Sequence, residues 1–126
     1  MATLDDSGAQ TRAVIDQFNG YFNAHDVDGV MATMTEDCVF ENTSPFPDGT
    51  RHEGQAAVRQ AWSEFFASSP NAWFDAEEMF AAGDRAVVRW RYTWKNDDGS
   101  EGHIRGVDVF RVRDGKVAEK LAYVKG

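Results

Sequence analysis

Residues 101–113 read EGHIRGVDVFRVR, and the alternation within them decides how the chain folds. Successive side chains of a strand point to opposite faces. Ile104, Gly106, Asp108, Phe110 and Val112 therefore share one face, and His103, Arg105, Val107, Val109 and Arg111 the other. The segment before it, residues 85–95, alternates more sharply, with Ala86, Val88, Trp90, Tyr92 and Trp94 set against Arg85, Arg89, Arg91 and Lys95. The aromatic set marks the inner face, so Asp108 is a carboxylate on an otherwise apolar surface.

Two more strands are expected on either side of this pair, over residues 72–81 and 116–124. Gly83-Asp84, Asp97-Asp98-Gly99 and Asp114-Gly115 separate the four segments, and such turns close antiparallel hairpins. Upstream the period changes. Val14, Phe18, Tyr21 and Phe22 recur at helical spacing within a helix over 9–24, and Asp26 can cap a short second helix with Val27, Val30, Met31 and Met34 inside. A short strand over Cys38–Asn42 leads into a loop rich in turn residues, Pro45, Pro47, Asp48 and Gly49. A third helix runs from Glu53 or Gly54 to Ser68, with Val58, Trp62, Phe65 and Phe66 on one face and Ser69-Pro70 ending it. Early helices and a late antiparallel sheet define an α+β domain in which three helices cover one face of the sheet. Residues 1–8 offer nothing to bury and read as a frayed tail, which leaves 9–126 as one domain.

The chain has 126 residues and a net charge of -8, from 21 acidic and 13 basic side chains. That balance opposes nucleic-acid phosphates and anionic lipid surfaces alike. Cys38 is the only cysteine, so no disulfide can form within the chain. No run approaches the roughly 18 apolar residues of a membrane span. A cytoplasmic protein is expected, without nucleic-acid or membrane partners.

Asp108 is the first candidate for chemistry. Desolvation on an inward face raises a carboxyl pKa and allows it to carry a proton, whereas a structural carboxylate would be tied to arginine or backbone donors. Both remain open from the sequence. If Phe40 faces the core, Asn42 points inward at the strand end and Glu41 outward, so Asn42 lends a hydrogen bond at a pocket mouth or serves only as a turn residue. Tyr92 and Trp90 share the inner face, and with Trp62 on the third helix they form apolar walls carrying polar handles. His25, His52 and His103 lack the spacing of a metal site, and neither metal nor cofactor is expected. His52 remains a candidate at the pocket rim, beside Arg51. The arginines on the outer face suit surface ion pairs or a subunit interface.

The element order, with GVDVFRVRDGKV over residues 106–117, resembles the SnoaL-like branch of the nuclear transport factor 2-like superfamily. Supporting segments are NAHDVDGV at 23–30, TEDCVF at 35–40 and RHEG at 51–54. The resemblance implies a strongly curved sheet forming a cone, a cystatin-like α+β barrel with an internal apolar pocket, and homodimers through the outer sheet face. It also implies a place for each candidate. Asp108 is similar in position to the aspartate that acts as acid or base in the SnoaL-like cyclases, and to the aspartate kept protonated in the ketosteroid isomerases. Phe18 stands where those isomerases carry a catalytic tyrosine, and Asn42 where they carry a general-base aspartate. Arg89-Trp90-Arg91 lacks the Arg-x-Asp of the limonene epoxide hydrolases. The expectation is a pocket for a small apolar carbonyl compound, with Asp108 as proton donor or shuttle in isomerase, cyclase or lyase chemistry. Asn42, Tyr92, Trp90, Trp62, His52 and Phe18 would hold the ligand. The alternative is a non-catalytic binding or dimeric scaffolding domain of the same fold.

Overall fold

The computed structural model describes residues 3–126, with side chains from residue 8 onward. Residues 1 and 2 of the expected tail lie outside the described residues. The elements are α1 (Thr3–Asn23), α2 (Val27–Ala32), β1 (Met34–Glu41), β2 (Arg51–Glu53), α3 (Gln55–Ser68), β3 (Trp73–Ala82), β4 (Arg85–Lys95), β5 (Glu101–Arg113) and β6 (Lys116–Val124). One six-stranded sheet has the order β2-β1-β6-β5-β4-β3. All its pairings are antiparallel except β1 with β6, which run parallel, so the meander β3–β6 is extended at its last strand by the first. The sheet is not closed, and β2 and β3 are its edges.

β4, β5 and β6 have the bounds that alternation gave them, because each is framed by a turn with an obligatory conformation. Gly83, Gly99 and Gly115 have positive φ, as does Asp114 at 55°. The first strand is longer than the expected Cys38–Asn42. It starts at Met34, a residue expected to close the inner face of α2, because Thr33 already ends that helix by returning its N–H to the Val30 and Met31 carbonyls. The short strand β2 was read as loop. Its Arg51, His52 and Glu53 pair with Glu41, Phe40 and Val39, a register that three residues without a hydrophobic pattern do not announce. Asp26 caps α2 as expected, its Oδ1 accepting from the Gly29 N–H at 3.0 Å.

The core lies between the helices and the inner sheet face. Ile15, Phe18 and Phe22 from α1 and Val58, Trp62 and Phe66 from α3 meet Ala86, Val88, Trp90 and Phe110 from the sheet. In α1 the stripe is centred on Ile15 and Phe18, with Val14 and Tyr21 at its margin. Asn23 fastens the end of α1 to β3, donating from Nδ2 to the Phe74 carbonyl at 2.7 Å and accepting the Phe74 N–H at 3.0 Å. Gln55 at the start of α3 donates to the Thr35 carbonyl of β1 at 3.0 Å, with the Met31 and Met34 carbonyls slightly farther. These side chains hold the helices at fixed heights over the sheet.

Two glycines of β5 stand opposite tryptophans of β4, Gly106 opposite Trp90 and Gly102 opposite Trp94. A Cβ at Gly106 would come within 2.6 Å of the Trp90 ring and 2.3 Å of the Tyr123 carbonyl oxygen. The missing side chain is what lets the indole lie flat across its partner strand. Gly106→Ala should therefore lower unfolding free energy by about 1–3 kcal/mol, with a matching loss of near-UV dichroism as Trp90 moves. Gly20→Ala is the control for the same measurement: nothing lies within 4 Å of its would-be Cβ on α1, and a gain of about 0.5–1 kcal/mol is expected.

Candidate active site

Strand register places the polar groups of the inner face. Asp108 faces Val88 on β4 and Ala122 on β6, while its inward neighbour Phe110 faces Lys120. Lys120 is therefore diagonal to Asp108 across the β5–β6 pair, a separation that a long side chain spans easily. Its Nζ lies 3.3 Å from Asp108 Oδ2. On the other side β1 sets Phe40 directly beside Lys120. The ammonium thus lies among three rings, 5.1 Å from the centre of Phe40, 5.2 Å from Trp62 and 5.4 Å from Phe22. Cation–π attraction in such a desolvated place is worth about 2 kcal/mol.

Asp108 is 0% exposed and Lys120 6%. Burial pushes the Asp108 carboxyl above its ordinary range, against the charge of Lys120 and the nearby donors of Trp90 and Lys120, which pull it down. Neither carboxylate oxygen has a hydrogen bond of full geometry, and the Trp90 and Trp62 indole N–H groups and the Tyr92 hydroxyl are equally unmatched. Trp90 is near enough to affect the carboxyl yet short of bonding it. A buried polar group without a partner is costly. These four side chains line one common space.

The space is a cavity of about 140 Å³. Phe22, Ala61, Trp62 and Phe65 line it from the helices, and Phe40, Phe74, Trp90, Tyr92, Ile104, Asp108, Lys120 and Ala122 from the sheet. Asn42 and Thr43 line it where β1 gives way to the loop. Asn42 also closes that loop, its Oδ1 accepting the Thr50 N–H at 2.8 Å, so it is at once a turn residue and a wall residue. Burial pushes the Tyr92 hydroxyl up as well, against the Ser69 side chain, which is near enough to pull it down but short of a full hydrogen bond.

Of the residues named from the sequence, Asp108, Asn42, Tyr92, Trp90 and Trp62 meet at this cavity. Phe18 does not line it: fully buried on α1, it packs edge-on against Trp62 and Phe110 and supports the wall from behind. His52 is also one layer back, stacked on Phe40 at 5.9 Å, because β2 pairs with β1 rather than folding over the opening. Arg51 is engaged by Glu41 at 2.8 Å and Glu53 at 2.6 Å. His25 stacks on Phe66 at 4.7 Å. Among the described residues no group of three His, Cys, Asp or Glu side chains could hold a metal ion, and no helix is long and apolar enough to cross a membrane. Outer-face arginines have acidic neighbours, Arg105 with Glu77 and Arg89 with Glu78.

Lys120 is the residue that pattern reading missed. Its signal was present, since Ala118, Lys120 and Ala122 alternate as Ile104, Gly106 and Asp108 do, but lysines are so seldom buried that a lysine within a strand reads as a solvated one.

The raised Asp108 carboxyl has a measurable consequence. A folded-state pKa above the unfolded value means that the folded protein binds the proton more tightly, so stability falls as pH rises between the two values and stays at the lower level above the folded pKa. Asp108→Asn removes this slope. Urea unfolding from about pH 4 to about pH 7 should show wild-type stability declining relative to the variant, and parallel curves would mean an unshifted carboxyl.

Comparison with known proteins follows the same outline. The sequence model of the SnoaL-like domain matches residues 15–120. An NTF2-like protein of unknown function from Mesorhizobium loti is 46% identical, with TM-score 0.82 over 97% of this chain and 96% of that one. A protein from Sinorhizobium meliloti, provisionally assigned as a polyketide cyclase, shares 22% identity with TM-score 0.72, covering 88% of this chain and 94% of its own. A protein from Kribbella flavida, provisionally assigned as a ketosteroid isomerase, shares 22% with TM-score 0.78, covering 98% of this chain and 82% of its own. A search of curated proteins found no match. With the sequence model spanning most of the chain and the fold shared end to end, the chain belongs to the SnoaL-like domain family, within the NTF2-like fold.

Proposed function

We propose that the cavity binds a small, largely apolar molecule carrying a carbonyl group, and that Asp108 moves a proton to or from it in isomerase, cyclase or lyase chemistry. The observation that carries this reading is a fully buried carboxyl at the wall of an aromatic cavity, with both oxygens free of good hydrogen bonds and no arginine beside it. A carboxyl that burial pushes above its ordinary range holds a proton to higher pH than a solvated one, and can pass it to a ligand oxygen and take it back in a later step. In this reading Tyr92 and Asn42 orient the polar end of the ligand and Trp62, Trp90 and Phe40 hold its apolar body, all of them residues that line the cavity. His52 acts on the ligand only through Phe40. The two relatives provisionally assigned as a polyketide cyclase and a ketosteroid isomerase support carbonyl chemistry of this class.

The contact with Lys120 favours a second reading, in which Asp108 is the counter-ion that permits a lysine in the core. Its loss would then cost about 3–5 kcal/mol, because it leaves a buried charge without compensation. One variant separates the two. Carbonyl, enone and epoxide compounds screened by thermal shift should yield ligands that raise Tm, with a gain of about 2.7 kcal/mol at 100 times Kd. For those that turn over, Asp108→Asn should keep binding and lower kcat by about 10²–10⁴-fold. Lost stability with unchanged turnover would leave only the structural role.

The outer sheet face is the proposed homodimer surface. Tyr123 stands 53% exposed there beside half-buried Val107 and Leu121. Light scattering at micromolar concentration should give twice the 14.1 kDa chain mass, and Tyr123→Glu should return it to the monomer value.

A further inference from the structure

The chain has four lysines, and three of them, Lys95, Lys116 and Lys125, are exposed. The fourth, Lys120, is buried in the wall of the cavity, 3.3 Å from a carboxyl and without a hydrogen bond of its own. Both Asp108 oxygens are buried without a matched hydrogen bond, and both side chains line the cavity. Ala122, the next inward residue of β6 and the partner of Asp108 in register, adds little bulk beside the pair.

We propose that Lys120 is a nucleophilic amine that forms an imine with the carbonyl carbon of the ligand, with Asp108 as its proton shuttle. This inference rests on the carbonyl-binding reading given above. An amine is a nucleophile only when unprotonated, so the proton that Lys120 gives up needs an acceptor, and the Asp108 carboxyl at 3.3 Å is the group at hand. The steps balance within the pair. Lys120 passes a proton to Asp108, and its freed lone pair adds to the carbonyl carbon. The π pair of the carbonyl moves to oxygen, which takes a proton from nitrogen to give a carbinolamine. Asp108 then returns its proton to that hydroxyl, which leaves as water while the nitrogen pair forms the C=N bond. The result is a protonated imine beside a carboxylate. A carboxylate so close to the nitrogen can in turn take a proton from the carbon next to the imine, where the positive nitrogen accepts the electron pair. The rings of Phe22, Phe40 and Trp62 stabilise the cation by the same contacts they make with the ammonium.

The volume sets the probe. A cavity of about 140 Å³ is close to the size of one that holds benzene, so benzaldehyde, a single ring bearing one carbonyl, is the probe matched to it. The full chain is incubated with benzaldehyde and sodium cyanoborohydride, which reduces an imine to a stable secondary amine, and the adduct is mapped by peptide mass spectrometry. Tryptophan fluorescence quenching reports occupancy by the unreduced aldehyde independently. Labelling of Lys120 at about tenfold or more over any of the three exposed lysines is expected, since the reacting groups are held together. Lys120→Arg should remove that adduct and keep the quenching. Asp108→Asn should keep the quenching and slow Lys120 labelling by about 10²-fold or more. Quenching with label confined to the exposed lysines would overturn the imine and leave carbonyl binding intact. Absence of both quenching and Lys120 label would overturn the two together. An unslowed Asp108→Asn would overturn the shuttle, and should that variant not fold, the wild-type map decides the role of Lys120 alone.

Discussion

The contact between Asp108 and Lys120 is the constraint around which the inner face is arranged. Neither charge could remain in an apolar interior alone, because desolvation of either ion costs several kcal/mol. Their proximity needs β5 and β6 in one particular register, with Phe110 beside Lys120 and Ala122 beside Asp108. A slip of one residue would send one of the two charges to the opposite face. β1 must also run parallel to β6, so that Phe40 lies next to Lys120 and supplies one of the three rings around the ammonium. Strand order, register and the aromatic content of the cavity meet at this one pair.

The same contact is incompletely bonded. A buried ion pair with complete hydrogen bonding would be a structural feature. Here the carboxyl oxygens, two indole N–H groups and a tyrosine hydroxyl remain unmatched around about 140 Å³ of space. The folded protein bears that cost and offsets it with a large aromatic core, in which Phe22 alone contacts five other rings. Unmatched groups held rigidly beside a cavity support the proposed binding of a carbonyl compound, since a ligand that satisfies them needs no further reorganisation of the protein.

Much of the architecture was legible in the chain because it follows from short-range rules. Two-residue alternation and turn glycines give β4, β5 and β6 their bounds, and helical spacing gives α3 its inner residues Val58, Trp62 and Phe66. β2 was not legible, since a strand of three polar residues exists only because β1 offers an edge to it. The extension of β1 back to Met34 has a similar cause. It depends on β6 arriving alongside, where Met34 pairs with Val117, a partner more than eighty residues away in the chain.

For the site, the sequence by itself determined that Asp108 would be an inward carboxylate flanked by aromatic residues, because strand alternation is a local property. It also placed Trp90, Tyr92 and Trp62 on faces that converge. Only the tertiary structure decided what Asp108 would face. Lys120 reaches it through a pairing between strands, and no periodicity within β6 distinguishes a buried lysine from a solvated one. Tertiary packing likewise moved Phe18 and His52 behind the wall, since a residue's depth depends on which rings stand in front of it. Alternation sets the face of the sheet on which a residue lies; the packing of other elements against that face sets its neighbours, its solvation and thereby its chemistry.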